Sequence, residues 1–119
     1  MTPVKNNTDS NRSDDVRGSA GTGSPLVSVI IPAYKVTAYI AETLDSALAQ
    51  SYQNYEIILV NDGCPDTEGL KKVLVPYRDR INYIEQPNGG AAAARNTAIR
   101  AASGEFLAFL DGDDIWKTD

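Results

Sequence analysis

The stretch that decides the fold is LVSVIIPAYKVTAYIAETLDSALAQSYQNYEIILVND, residues 26–62. It opens with a short run rich in β-branched side chains that ends at Pro32, which predicts a strand followed by a loop. Apolar residues then recur at the spacing of a helix, for which Thr37 is the expected N-cap. The stretch closes with YEIILVND, which predicts a second strand. Strand, helix and strand in this order predict parallel pairing through a right-handed crossover.

The same alternation continues toward the C-terminal end. Residues 67–77, TEGLKKVLVPY, predict a shorter helix that is broken or ended at Pro76. INYIEQ, residues 81–86, predicts a half-exposed third strand. An Ala-rich helix should follow over residues 89–104, opened by two glycines and closed by Gly104 as its C-cap. EFLAFLD, residues 105–111, predicts a fourth strand.

Together these elements predict an α/β fold, an open and mostly parallel sheet with helices on both faces. The two most apolar strand segments, Ile57 to Val60 and Phe106 to Leu110, should be buried on both faces of the sheet. Residues 25–119 should form one domain. Residues 1–24 are rich in Asn, Ser, Thr, Asp and Gly, and we expect them to form a disordered polar tail.

Composition excludes several classes of function. The net charge of −5 and the pI near 4.6 argue against a nucleic-acid partner, because phosphate backbones bind basic surfaces. The chain has no His and one Cys, so it cannot supply the usual ligands of a zinc site or form an internal disulfide. No signal peptide or membrane-spanning run is visible, and we therefore expect a cytoplasmic protein, membrane-associated only if a longer chain exists.

Polar or loop residues follow each predicted strand. In an open α/β sheet, ligands bind beyond the carboxyl ends of the strands, so these segments should lie along one edge. They are Pro32-Ala33-Tyr34, Asn61-Asp62-Gly63, Asn88-Gly89-Gly90 and Asp111-Gly112-Asp113-Asp114.

The last of these segments has two interpretations. Asp and Gly are common in turns, and the simpler interpretation is a solvated turn after a strand. The carboxylates of Asp111, Asp113 and Asp114 would repel one another, however, and no basic residue lies between Phe106 and Trp116. A divalent cation would relieve the repulsion, and Mg²⁺ or Mn²⁺ binds one or two carboxylates together with phosphates and water.

The other segments are also open to two interpretations. Asp62 either belongs to an ordinary turn or accepts N–H donors from a planar base held above the edge of the sheet. The Gly89-Gly90 pair is either a flexible turn or a place where an anion approaches the start of the following helix. Arg95 is either a solvated surface residue or faces the acidic segment or a diphosphate. Cys64 has no neighbour that would activate its thiol.

Four segments, in this order and at these separations, resemble the N-terminal half of family 2 glycosyltransferases of the GT-A fold. They are VSVIIPAYK (27–35), EIILVNDGC (56–64), NGGAAAARNTAI (88–99) and GEFLAFLDGDD (104–114). The resemblance covers residues 26–116. It implies a nucleotide-diphosphate sugar as donor, most often a UDP sugar, and a divalent cation, Mn²⁺ or Mg²⁺. The acceptor, whether glycan, lipid or protein, is not implied.

The resemblance also implies roles for individual residues. Pro32, Ala33 and Tyr34 fall where the first loop of the family packs on the nucleotide. Asp62 matches the carboxylate that meets the base, and Arg95 matches the Arg near the base and diphosphate. Asp111 and Asp113 match the DxD pair, Asp111 near the ribose and metal and Asp113 on the metal, with Asp114 as a helper.

Two positions depart from the family pattern, and one expected residue is missing. Lys35 stands where Asn is common, and Cys64 stands where Ser is usual. In the family, a second half carries the acceptor site and an acidic base, and no residue of this chain is assignable to that role. We therefore expect a nucleotide-binding half truncated after the DxD strand, with its catalytic base beyond residue 119. The alternative is a nucleotide-sugar-binding fragment without transfer activity.

Overall fold

The computed structural model describes residues 3–6 and 25–117 of the chain. The strands in this part are β1 (Val4–Lys5), β2 (Val27–Ala33), β3 (Tyr55–Asp62), β4 (Asn82–Gln86) and β5 (Phe106–Phe109). The helices are α1 (Ile40–Leu48), α2 (Thr67–Leu74) and α3 (Ala91–Ala101), with a 3₁₀ helix at Val75–Arg80. As predicted, the helix over residues 67–74 ends before Pro76, and α3 begins directly after the two glycines.

All five strands form one sheet in the order β1-β5-β2-β3-β4. Strands β2 to β5 are parallel, and β1 pairs with β5 in the antiparallel direction. The chain moves from β2 to β3 to β4 on one side and then returns to place β5 on the other side of β2. The predicted fold class is therefore confirmed, and the strand order reverses between β2 and β5.

The helices cover both faces of this sheet. On one face, α1 and α2 pack against β2 and β3, with Ile40, Leu44 and Leu70 in the core. On the other face, α3 packs through Ala94 and Ala98. Side chains of β3 alternate between the two clusters, and all of residues 57–60 are buried. The prediction that this strand is buried on both faces is confirmed.

The matching prediction for Phe106 to Leu110 is wrong at two positions, since Phe106 is only partly buried and Phe109 is exposed. Leu107, Ala108 and Leu110 are buried, whereas the Phe109 side chain is 40% exposed. The short strand β1 pairs only with Phe106 and Leu107 of β5. The outer side of Phe109 therefore has no strand beside it in the described part of the chain.

Residues 3–6 depart from the prediction of a polar tail. Val4 and Lys5 form β1, and Lys5 pairs with Glu105 at 3.2 Å. Asn6 is buried, and its side-chain amide donates to the carbonyl of Gly104 at 3.0 Å. The amino-acid composition did not predict this strand, because backbone groups and polar side chains make its contacts and no apolar run marks it. The other positions of the predicted tail, 1–2 and 7–24, lie outside the described residues.

Both predicted helix caps are wrong. Helix α1 begins at Ile40 with Tyr39 as its N-cap residue, and the N–H groups of Tyr39 and Ile40 donate to Val36 O instead of to Thr37. The end of α3 is capped at Ala102, with φ −74°, so the left-handed glycine is not used there. Gly104 is required for a different reason. A Cβ at this position would lie 2.5 Å from Ser28 Oγ and 2.7 Å from Ser28 N.

None of the helices in residues 3–6 and 25–117 is both long and apolar enough to cross a membrane.

Candidate functional site

The four predicted segments meet at the carboxyl edge of the sheet. Ala33 pairs with Asn61, and Asp62 pairs with Gln86, so the ends of β2, β3 and β4 are aligned. A Cβ at Gly112 would lie 3.1 Å from Pro32 O, which puts the acidic segment against the end of β2. A Cβ at Gly63 would lie 2.4 Å from Asn88 N, which puts the loops after β3 and β4 in contact.

The acidic segment is a tight turn that follows β5. The N–H of Asp114 donates to Asp111 O at 3.0 Å, which closes residues 111–114 as a β-turn. Gly112 is buried, whereas the residues on both sides of it, Asp111, Asp113 and Asp114, are exposed. The turn therefore presents its carboxylates to solvent while its backbone stays in the protein.

These carboxylates fit a cation that is shared with an anionic ligand. No group of three or more His, Cys, Asp or Glu side chains is placed to hold a metal within residues 3–6 and 25–117. The edge offers instead the two exposed carboxylates of Asp111 and Asp113, one on each side of Gly112. Mg²⁺ and Mn²⁺ prefer oxygen ligands and bind through one or two carboxylates when phosphates and water complete the coordination.

Arg95 faces the acidic turn. Its Nη2 lies 3.3 Å from Asp111 Oδ1, and the two side chains are 39% and 56% exposed. Of the two interpretations given to Arg95 by the sequence, the structure supports the one in which it faces the acids. An ion pair this exposed adds little to stability. It does neutralise part of the turn, and it places a guanidinium, which suits phosphate oxygens, beside the carboxylate.

The Asp62 carboxylate is buried and fully hydrogen-bonded by protein donors. Its residue is only 2% exposed. Oδ1 accepts from Gln86 Nε2 and Gly89 N, both at 2.9 Å. Oδ2 accepts from Gly90 N at 2.9 Å and from Asn88 Nδ2 at 3.2 Å. Burial alone would raise the pKa of this carboxyl, but the hydrogen bonds from Gln86, Gly89 and Gly90 outweigh burial and lower the pKa.

This arrangement gives Asp62 a structural role that the sequence did not predict. A carboxylate has about four lone-pair sites, and all are engaged in holding the loop before α3 against β3. The contact between Asp62 and a base stays a prediction, and it would require at least one of these four donors to move.

Asn61, at the end of β3, and Cys64, in the loop after it, also make structural contacts within the protein. Asn61 is buried, donates to Thr67 Oγ1 and Tyr83 OH, and accepts from the N–H of Cys64. The Cys64 thiol is buried in the core beneath α1 and α2, which agrees with an inert thiol.

The loop after β2 presents one aromatic ring and one cation. Ala33 is fully buried, so its side chain cannot pack on a ligand, whereas Tyr34 is 42% exposed. Lys35 has a positive φ of 57°, and its Nζ lies 5.4 Å from the centre of the Tyr34 ring. Residues with a Cβ rarely adopt this left-handed conformation, although Asn does so more easily than Lys.

We expect Lys35→Asn to stabilise the chain, because Asn tolerates the left-handed backbone better. The melting temperature should rise, corresponding to a gain of roughly 0.5–1 kcal/mol. Lys35→Ala is the matched control, since it removes the ammonium group and keeps the strain. If Lys35 pairs with a phosphate, both variants should bind UDP more weakly than the unchanged chain. Unchanged UDP affinity in both would indicate that Lys35 only shapes the loop.

Polar residues of α1 that the sequence did not single out also contact the acidic turn and the residues after it. Thr43 Oγ1 donates to Gly112 O at 3.0 Å, and Ser46 Oγ accepts from Trp116 N at 3.0 Å. Gln50, just beyond α1, donates to Lys117 O at 2.9 Å. Their spacing of three and four residues on the inward side of an apolar helix was the signal available in the sequence.

Solved structures with the same architecture include proteins in complex with nucleotide sugars. One is the mannosyltransferase PcManGT from Pyrobaculum calidifontis in complex with GDP-Man and Mn²⁺, with a TM-score of 0.71 and 30% identity over 82% of this chain and 30% of that chain. Another is S. aureus TarS 1–349 in complex with UDP-GlcNAc, with a TM-score of 0.65 and 34% identity over 75% of this chain and 27% of that chain. The fold is therefore that of the GT-A glycosyltransferases.

Sequence comparison identifies the family. The family described as glycosyl transferase family 2 matches residues 28–119. The uncharacterized glycosyltransferase EpsJ of Bacillus subtilis is 52% identical over 91 residues, which are 76% of this chain and 26% of EpsJ. The glycosyltransferase GlyA of Streptococcus pneumoniae is 45% identical over 94 residues, 78% of this chain and 14% of GlyA. The chain belongs to glycosyltransferase family 2, and it spans a minor part of the length of these relatives.

Proposed function

We propose that this chain is the donor-binding region of a metal-dependent glycosyltransferase. It binds a nucleotide-diphosphate sugar together with Mn²⁺ or Mg²⁺, and the sugar is transferred to a glycan, lipid or protein acceptor. The observation that carries the proposal is the exposed turn with Asp111 and Asp113 on either side of a buried glycine, and with Arg95 3.3 Å from Asp111. It lies at the edge where the strand order reverses, the usual ligand site of such sheets.

The roles follow from the chemistry of these side chains. Asp111 and Asp113 would hold the cation, which, when bound, supplies Lewis-acid stabilisation of the charge on a departing nucleoside diphosphate. Arg95 would exchange its carboxylate partner for phosphate oxygens, which suit a guanidinium equally well. Pro32 and the exposed ring of Tyr34 offer a surface for the nucleoside at the end of β2. Asp62 holds the loop of Gly89 and Gly90 in place beside it.

We propose a UDP sugar as the donor. TarS has been solved with UDP and with UDP-GlcNAc, at 34% identity to this chain. PcManGT has been solved with GDP-Man and Mn²⁺, at 30% identity. The neighbours therefore support a nucleotide-sugar donor in general and favour uridine only slightly over guanosine.

Calorimetric titration with UDP tests this proposal. We expect UDP to bind in the presence of Mn²⁺ and to bind at least about 100-fold more weakly when the metal is chelated. Uridine, which lacks the diphosphate, is the control ligand and should bind weakly under both conditions. Equal binding of UDP and uridine, or no dependence on the metal, would contradict the proposal. Titration with GDP measures the preference for the base.

The alternative is a nucleotide-sugar-binding domain that performs no transfer. No acidic residue is assigned as the base for an acceptor hydroxyl within residues 3–6 and 25–117. Release of UDP from UDP sugars, measured for this chain and for a longer chain of the same family, separates the alternatives. Metal-dependent UDP binding without any turnover in this chain would favour the binding-only function.

A further inference from the structure

The acidic turn has little regular structure to hold it. Strand β5 ends at Phe109, and the last hydrogen bond to its neighbour runs from Leu110 N to Ile30 O at 3.0 Å. From Asp111 to Lys117 the backbone forms neither helix nor strand. Gly112 is nevertheless buried in the middle of this segment. Something other than the sheet must therefore fix the backbone between the two carboxylates.

Helix α1 supplies that support through one buried hydroxyl. Thr43 is 1% exposed, and its Oγ1 donates to Gly112 O at 3.0 Å. The carbonyl of Gly112 belongs to the peptide that joins Gly112 to Asp113. A hydrogen bond to this oxygen sets the orientation of that peptide, and with it the direction in which the Asp113 side chain leaves the backbone.

The glycine is also confined on its other side. A Cβ at Gly112 would lie 3.0 Å from Val36 Cγ2 and 3.1 Å from Pro32 O. The backbone of the turn is thus placed between the loop after β2 and the hydroxyl of Thr43. Because packing limits the position of Gly112 and the hydrogen bond limits its rotation, the two constraints are complementary.

The neighbouring polar residues hold the segment after the turn in the same way. Ser46 Oγ donates to Thr43 O at 2.7 Å, which leaves it able to accept from Trp116 N. Gln50 Nε2 lies 3.2 Å from Ser46 O and 2.9 Å from Lys117 O. These bonds secure residues 116 and 117, so Thr43 is the member of the group that acts on the turn itself.

We propose that Thr43 is a positioning residue for the cation, acting through the Gly112 carbonyl to set the relative placement of the Asp111 and Asp113 carboxylates. This inference rests on the proposed function, because it assigns those carboxylates to a metal. Asp113 makes no ion pair within the described part of the chain. Its placement therefore depends on the backbone of the turn, and loss of the Thr43 hydroxyl should weaken metal binding without removing any ligand.

The test compares Thr43→Val, which keeps the shape of the side chain and removes the hydroxyl, with Thr43→Ser, which keeps the hydroxyl. Mn²⁺ is titrated at a fixed concentration of UDP, and free Mn²⁺ is measured by electron paramagnetic resonance. We expect Thr43→Val to weaken Mn²⁺ binding about tenfold, the lower end of the effects of residues that orient metal ligands. Thr43→Ser should stay within about twofold of the unchanged chain, since it retains the orienting hydroxyl.

Tyr77→Phe is the matched control for a general disturbance of α1. The Tyr77 hydroxyl donates to Asp45 Oδ1 at 2.7 Å and lies 3.3 Å from Ala41 O, so its loss also removes hydrogen bonding to the same helix. Within the described part of the chain neither Ala41 nor Asp45 hydrogen-bonds the acidic turn, so the melting temperature should fall while Mn²⁺ affinity stays unchanged.

Two outcomes would overturn the inference on Thr43, and a third would overturn the proposed function. If Thr43→Val lowers the melting temperature but leaves Mn²⁺ affinity unchanged, Thr43 is only a structural residue and the inference is overturned. If Thr43→Ser weakens binding as much as Thr43→Val, the hydroxyl is not the cause, and the inference is again overturned. If the unchanged chain binds no Mn²⁺ in the presence of UDP, the proposed function fails and the metal role of Thr43 fails with it.

Discussion

Asp113→Asn should reduce Mn²⁺-dependent binding of UDP by at least about 100-fold, more than the loss caused by residues that merely orient a ligand. The variant removes one of two carboxylates available to the cation and replaces it with a neutral amide, a much poorer ligand for a hard divalent ion. Asp113 is exposed and forms no ion pair with a described residue, so its replacement should leave the melting temperature nearly unchanged. Calorimetry with UDP and Mn²⁺ measures the binding.

Asp79→Asn provides the control for net charge. Asp79 is exposed on the 3₁₀ helix that precedes β4, at the opposite end of the strand from the site. The Asp79→Asn substitution changes the net charge of the chain by the same amount as Asp113→Asn. The variant should bind UDP and Mn²⁺ as tightly as the unchanged chain. Equal losses in the two variants would show that Asp113 acts only through overall charge, and the metal assignment would then be wrong.

Asp62→Ala should be the most destabilising single substitution at the site. It leaves four donors without their acceptor, among them the N–H groups of Gly89 and Gly90. We expect a loss of about 3–5 kcal/mol in the free energy of unfolding, since four partly buried hydrogen bonds to a charged group are lost together. Asp62→Asn keeps the shape and one acceptor oxygen, and should lose about half as much. Urea denaturation measures both, and a loss below about 1 kcal/mol would contradict the structural role.

The same carboxylate predicts a dependence of stability on pH. The pKa of Asp62 is lowered in the folded chain from an ordinary value of 3.8. The folded state therefore holds this proton less tightly than the unfolded state. The stabilisation is fully present above the unfolded pKa and is lost as the pH falls through the lower folded pKa. The stability difference between the unchanged chain and Asp62→Asn should shrink below about pH 4. A constant difference from pH 2 to 6 would show that ionisation of Asp62 contributes nothing.

The sequence predicted the elements whose signals are local. The apolar runs around Ile30 and Ile58 identify buried strands, and the helical spacing after Thr37 identifies α1. Because parallel strands end at a common edge, the position of Asp62 and of the acidic turn at that edge also followed from topology. Arg95 could be given two interpretations from its position in α3, and only the folded chain brings its guanidinium to Asp111.

The features that escaped prediction depend on contacts between distant parts of the chain. Asp62 looks like a turn residue or a ligand-binding residue in sequence, and its four protein donors become visible only when the loop of residues 88–90 is placed beside it. Gly104 resembles a helix cap, but the space it leaves is occupied by Ser28. Thr43 is a tolerable helix residue by propensity, and its hydrogen bond to Gly112, which lies 69 positions away, becomes visible only in the folded chain.

Strand β1 has a practical consequence for anyone preparing this protein. A worker trimming the polar N-terminus before crystallisation would delete Val4 and Lys5, and with them the Asn6 amide that holds Gly104 O. The border of the sheet would then be β5 itself, with free amide and carbonyl groups where an identical molecule could add its own strand. The shortened material would be the form to suspect first if filaments or strand-exchanged pairs appeared during purification.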